Sequence, residues 1–408
     1  MAAAPGARRA IVRRMMADRA APPRGVGPGA GEPRARLLYL DNVRSLVIFL
    51  VVVMHSNVTY SGMGRWYYVE GAPARLNVVS ASLFGLYGSY VQAWSMGVLF
   101  LLGGHFAARG LARRGTRGFL RERLFRLGIP LLLYVFVLEP LLVYLFEDGG
   151  RYLRTMPFPR LWWGYVSSGS FVHGTGPLWF VEALLIFCGL YALARALLPR
   201  AMSGGAMPGT GALLAMVGLV GTAAFALRLA WPIGTAVANL QLPFFASYVA
   251  LFALGVHAGE AGWLTRIPER AGLRWFAAAL GIGIPAWCVL MVAGGALSGE
   301  FPSGGLHWQV LAYALWEAFV AVAMSIGLVA FARAHLAGEG RVAHALADTS
   351  FGIYVFHPPV LVAISLLLAP LALPMLAKHA IVAPLAFGAS FLVAAVARRV
   401  PVLNAVIR

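Results

Sequence analysis

Asp41, Arg44 and His55 stand in an apolar stretch of helical length, LLYLDNVRSLVIFLVVVMHSNVTY, residues 37–60. An ionisable side chain at the centre of a membrane helix costs about 2.5 to 3.5 kcal/mol on insertion scales, so three in one stretch call for partners or a function. His55 is eleven positions beyond Arg44; at about 100° per residue both fall on one helix face, about 16 Å apart along the axis. A histidine titrates near neutrality and suits general-base chemistry. An arginine suits phosphate or carboxylate. Asp41, three residues before Arg44, either neutralises that guanidinium or shares its ligand.

Other charges extend the pattern. The run RRGTRGFLRERLFRLG carries Arg123 and Arg126, spaced to point the same way on a helix at the edge of an apolar span. Two guanidiniums so placed fit a phosphate or pyrophosphate. Glu139, Glu182 and Glu317 each interrupt an apolar run. Of these, Glu182 is the expected partner of His55, because the two approach the same membrane depth from opposite directions. His357, in DTSFGIYVFHPPVLV, precedes two prolines that loosen a helix. It either lines a ligand cavity or satisfies freed carbonyls. Trp94, Trp179 and Tyr354 are candidate cavity walls, although packing is the commoner use of such aromatics. The remaining histidines fall near helix ends or in loops, with no metal-ligand spacing. No phosphate-binding loop, nucleophile elbow or dinucleotide fingerprint occurs.

These side chains need a frame, and composition indicates one. Of 408 residues 60% are hydrophobic and only 12% charged, which excludes an ordinary soluble domain and predicts an all-α, polytopic integral membrane protein. Apolar runs near 37–60, 83–107, 127–147, 176–198, 211–231, 239–258, 273–297, 309–332, 349–369 and 379–397 give about ten spans. The net charge of +18 does not point to nucleic acid, because most of the basic residues sit on alternate loops. That asymmetry places both termini in the cytoplasm. Trp66, Trp162, Trp163 and Trp308 are expected in an aromatic belt on the other side. Asp41, Arg44 and the Arg-rich loop then lie in the cytoplasmic half; His55 and the three glutamates lie in the outer half. Residues 1–36 read as a disordered, Arg-rich cytoplasmic tail without the apolar core of a cleavable signal peptide. Residues 37–400 read as the membrane domain and 401–408 as a short cytoplasmic tail. Cys188 and Cys288 lie inside apolar runs and suggest neither a disulfide framework nor a metal site. Only one of the 33 basic residues, Lys378, is a lysine, a bias typical of GC-rich bacterial genomes.

The segments LYLDNVRSLVIFLVVVMHSNVTYSG, MGRWYY, FLLGGHFAARG, RRGTRGFLRERLFRLGIPLLL, GPLWFVEALLIF, LFALGVHAGEAGWL and DTSFGIYVFHPPVLV together resemble the bacterial membrane acyltransferase 3 family. Within it they look most like the branch containing periplasmic glucan succinyltransferases. The likeness runs from about Tyr39 to Ala397. It departs at FLLGGHF, where His105 stands in place of the family's common Ser-Gly-aromatic pattern.

The resemblance implies transfer of an acetyl or succinyl group from cytoplasmic acyl-CoA to a hydroxyl of an extracytoplasmic glycan, in a bacterial cytoplasmic membrane and without a metal. It implies a catalytic role for His55 and acyl-CoA contacts from Arg44, Arg123 and Arg126. The reading of the residues themselves adds Glu182 and Arg44 beside His55, and Asp41 and His357 as further contacts for the donor. Two other readings use the same charges: a proton-coupled transporter or flippase of an envelope precursor, and a structural partner whose buried charges only fix helix packing.

Overall fold

The computed structural model describes residues 37–198, 205–338 and 340–407. The expected tail at 1–36 lies outside them. Among the described residues the protein is all-α, with nine stretches long and apolar enough to cross a bilayer. It is a multi-pass integral membrane protein. The expected second and third spans fall in one continuous helical run, Val78–Phe146. That run is not straight. Nine helical residues should cover about 13 Å, yet a Cβ placed on Gly110 would meet the Phe119 ring at 3.2 Å. The chain folds back at Gly115, whose φ is 68°.

We number the main helices α1 (Leu38–Ser61), α2 (Val78–Arg123), α3 (124–146), α4 (Phe158–Ser167) and α5 (Trp179–Leu197). There follow α6 (Thr210–Ala230), α7 (Phe245–Ala261), α8 (Glu269–Ala293) and α9 (Trp308–His335). The chain ends in α10 (Arg341–Leu368), α11 (Met375–Ala397) and α12 (Pro401–Ile407). The last of these is a short helix packed on α3 and α10 where the sequence suggested only a tail.

Lipid is as apolar as a leucine side chain, so helices in a membrane associate through close packing of small residues and through polar contacts. The α2–α7 pair shows the first device. Gly255 and Gly259, four apart on α7, lie against the backbone of Leu101 and His105, and Gly104 of α2 lies against that of Phe252. A methyl group at any of these three glycines would force the helices apart. His105 therefore belongs to this seam, fully buried. The central helix is α9, with 83% of its apolar window buried, and it touches α1, α2, α6, α7 and α8. It carries the second device: Glu317 accepts from Arg228 of α6 at 2.6 Å, both side chains being essentially inaccessible. Arg228 also stands over the rings of Phe244 and Tyr313. Glu317, expected in the same half of the membrane as His55, pairs there with Arg228. A frame so fixed lets α1, packed against α2, α9, α10 and α11, hold its charged residues among neighbours from four other helices.

Candidate functional site

Two cavities follow one another along α1. The first, about 220 Å³, is lined by Asp41, Arg44 and Ile48 of α1, Leu99, Leu102, Gly103 and Phe106 of α2, Arg123, Arg126, Phe180, Leu184, Ser350 and Tyr354, among others. The second, about 340 Å³, is lined by Val51, Met54, His55 and Asn57 of α1, Gln92, Ser95 and Met96 of α2, Trp179 and again Tyr354. Three residues, about 4.5 Å of helix, separate Ile48 from Val51 and Met96 from Leu99. Tyr354 fills the gap. Its hydroxyl donates to the Pro177 carbonyl, so that one aromatic ring forms the partition between an arginine-lined and a histidine-lined space.

In the arginine cavity, Arg44 donates from Nε to Ser350 Oγ at 3.1 Å and from Nη2 to the Ala347 carbonyl at 2.9 Å. Asp41 Oδ1 lies 3.3 Å from Nη2. The guanidinium is thus held flat against α10. Arg123 and Arg126 reach the same cavity across a π-helical turn, Leu124–Gly128, a distortion that often marks functional positions. Glu122, overlooked in the sequence, ties them: its carboxylate lies 3.8 Å from Arg123 Nε, 3.5 Å from Arg126 Nη1 and 3.6 Å from Arg114 Nη1. Arg44, Arg123 and Arg126 line this mouth together with Asp41 and Asp348, and Glu122 stands beside the arginine pair.

His55 has a different setting. Its Nδ1 lies 3.1 Å from His357 Nε2, and His357 Nδ1 lies 2.8 Å from the Tyr354 carbonyl. A carbonyl only accepts, so His357 Nδ1 carries a proton; in the uncharged ring its Nε2 then accepts from His55 Nδ1–H. The lone pair of His55 consequently sits on Nε2. The chain of bonds assigns the tautomer a general base requires. His357, expected among the donor contacts, lines neither cavity and stands behind His55 instead.

Glu182 is not the partner of His55. Its carboxyl faces the Thr175 hydroxyl, and Oε2 meets no donor among the described residues. The reason is helix phase: Phe180, Val181 and Leu184 face the arginine cavity, and Glu182 is turned about 100° beyond Val181. Matching depth did not supply matching direction. Glu139, expected in the same half of the membrane as His55, accepts from Tyr67.

Trp66 was expected in an aromatic belt. Instead its ring stacks on His55, centroids 4.1 Å apart and planes 22° from parallel. The loop 62–77 that carries it is pinned three ways. The Glu70 and Gly71 amides donate to the Thr59 carbonyl at 2.9 and 3.1 Å, Glu70 pairs with the buried Lys378 of α11, and Tyr67 bonds Glu139 and Tyr134. Any side chain on Gly71 would collide with the Tyr60 carbonyl. Burial, with the neighbouring Tyr134 and Glu139, pushes the Tyr67 hydroxyl well above its ordinary range, so it remains the donor. Trp179 and Tyr354 are cavity walls, whereas Trp94 is buried outside both. Among the described residues no group of histidine, cysteine and acidic side chains could hold a metal ion.

Comparison with curated proteins and with solved structures finds no match. Comparison with protein families matches residues 37–399 to the acyltransferase domain of the acyltransferase 3 family. The match spans the whole helical bundle that encloses the two cavities, and the chain is a membrane acyltransferase of the acyltransferase 3 family.

Proposed function

We propose that the protein transfers an acetyl or succinyl group from cytoplasmic acyl-CoA to a hydroxyl of an extracytoplasmic, glycan-type acceptor, in a bacterial cytoplasmic membrane. The observation that carries this reading is the alignment of the two cavities along α1, with Arg44, Arg123 and Arg126 at one end and His55 at the other. The basic residues concentrate in loops at the arginine end, which by the positive-inside rule faces the cytoplasm.

The donor's phosphates pair with the guanidiniums, preferably in bidentate fashion. Its thin thiol-bearing arm runs along α1 and displaces the Tyr354 ring, bringing the thioester to His55. His55 Nε2 removes the proton of the acceptor hydroxyl as its oxygen attacks the thioester carbon. The C–O bond forms, the C–S bond breaks, and the proton passes from His55 to the departing thiolate. General-base help of this kind contributes about 10²- to 10⁴-fold. Trp66, stacked on the imidazole, keeps the ring in its plane and covers one face from water.

The test uses purified protein with radiolabelled acetyl-CoA or succinyl-CoA and a set of oligosaccharides. Wild type is expected to yield acyl ester, and His55→Ala to bind donor yet lose turnover. Undiminished transfer by His55→Ala removes the assignment of the base.

A further inference from the structure

We infer that a groove beside the Arg-rich turn, separate from the arginine cavity, holds one anionic phospholipid, its phosphate between Arg114 and Arg121 and its acyl chains along α3. The inference does not depend on the acyl-transfer reading.

The groove, about 570 Å³ and open on one side, is lined by Arg114, Arg121 and Glu122 and by Leu124, Phe125 and Ile129. None of these six lines the arginine cavity. The turn at Gly115, whose φ is 68°, sets Arg114 close over Gly118: a Cβ on that glycine would stand 3.2 Å from the Arg114 Cβ. Arg114 Nη1 lies 3.6 Å from Glu122, but the same carboxylate is shared with Arg123 and Arg126. Arg121 has no side-chain hydrogen bond or ion pair among the described residues. Its donors are open to an anion.

Depth and apolar surface say which anion. At its helical rise α3 is about 34 Å long, enough to cross a hydrocarbon core of about 30 Å. Arg121, three residues before the first residue of α3, therefore stands at the level of lipid headgroups. Leu124 and Phe125 follow it at helical spacing on the same face, and both are exposed, as are Leu132, Leu133 and Val137 farther along α3. On a membrane span, exposed apolar side chains of this kind lie against acyl chains. A lipid seated there brings its phosphate to the two arginines, and a guanidinium meets phosphate oxygens through parallel N–H donors. A zwitterionic lipid adds a cation beside the guanidiniums; an anionic one does not. A small soluble phosphate meets the arginines and leaves Leu124 and Phe125 uncovered. Basic loops attract anionic membranes diffusely, but a groove with free donors and an apolar floor selects a single molecule.

The test is native mass spectrometry of the full chain in neutral detergent, where no membrane surface charge acts. It is titrated with dioleoylphosphatidylglycerol, dioleoylphosphatidylcholine or glycerol 3-phosphate. Wild type is expected to retain one phosphatidylglycerol, at least about tenfold more tightly than either of the others. Arg121→Gln should weaken that binding about tenfold, and Arg114→Gln with Arg121→Gln should abolish the preference over phosphatidylcholine. Arg113→Gln with Arg117→Gln removes as much charge from the same turn and should stay within about threefold of wild type. Because Arg121 bonds nothing in the protein, its single variant supplies the answer if loss of Arg114 lowers the melting temperature. The inference is overturned if wild type shows no preference for phosphatidylglycerol, or if the Arg113 and Arg117 variant loses as much as the Arg114 and Arg121 variant. It is equally overturned if glycerol 3-phosphate binds as tightly as the lipid, which would make the groove a small-anion site, or if saturating acetyl-CoA displaces the lipid.

Discussion

The arginine cavity and the histidine cavity share one helix and one partition, yet they hold their charged and titratable groups by opposite means. At the arginine end the guanidiniums are tied to one another and to α10 by carboxylates and carbonyls: Arg44 to Asp41, Ser350 and Ala347, and Arg123 and Arg126 to Glu122. At the histidine end no charge steadies the base. His55 is fixed by a neutral hydrogen bond to His357 and by the Trp66 ring. Charged groups are concentrated at one end. At the other, the Nε2 lone pair of His55 has no ion pair to fill it.

Removing each device tests the contrast. The largest effect is expected from His55→Ala, a loss of about 10²- to 10⁴-fold in kcat. His357→Ala should fall between that variant and wild type, because the imidazole remains but loses the His357 nitrogen that accepts from its Nδ1–H; kcat should drop with little change in KM for the donor. Equal losses in kcat and donor affinity would mean that His357 serves the arginine end as well. Next comes the double variant Arg123→Ala, Arg126→Ala. Charge-assisted hydrogen bonds contribute about 1.5 to 3 kcal/mol each, so donor affinity should fall by at least about tenfold in equilibrium binding of acyl-CoA, with sugar binding untouched.

A smaller effect should come from salt. Between 0.15 M and 1 M the Debye length shrinks from about 8 to 3 Å, so donor binding should weaken while oligosaccharide binding stays constant. A parallel decline in both would erase the distinction between the two ends. The smallest change belongs to Tyr354→Phe, which keeps the ring and deletes its bond to the Pro177 carbonyl. At about 0.5 to 1.5 kcal/mol, it should alter the transfer rate by no more than about tenfold.

The comparison also separates what the chain discloses from what only folding reveals. The helical, membrane-spanning character follows from the apolar runs. Arg44 and His55 are related by arithmetic within one helix, and such relations survive folding because helix geometry is local. Relations between helices do not. Glu182 was matched to His55 by depth, but its phase on α5 turns it away, and the residue that does bond His55 lies 302 positions along the chain. Trp66 reads as an interfacial aromatic until the loop carrying it is pinned by Glu70 to Lys378, a contact spanning 308 positions. Arg228 and Glu317 each look like a solitary charge near a span and prove to be a pair. Two signals were readable in retrospect: Glu122, an acid between two arginines, and Lys378, the one lysine, set in an apolar run.

The Tyr354 partition has a further consequence. A continuous wet passage through a helical bundle would let water and ions cross the bilayer. With the tyrosine hydroxyl latched to the Pro177 carbonyl, the two spaces meet instead at an aromatic plug, so the bundle holds two openings without becoming a pore.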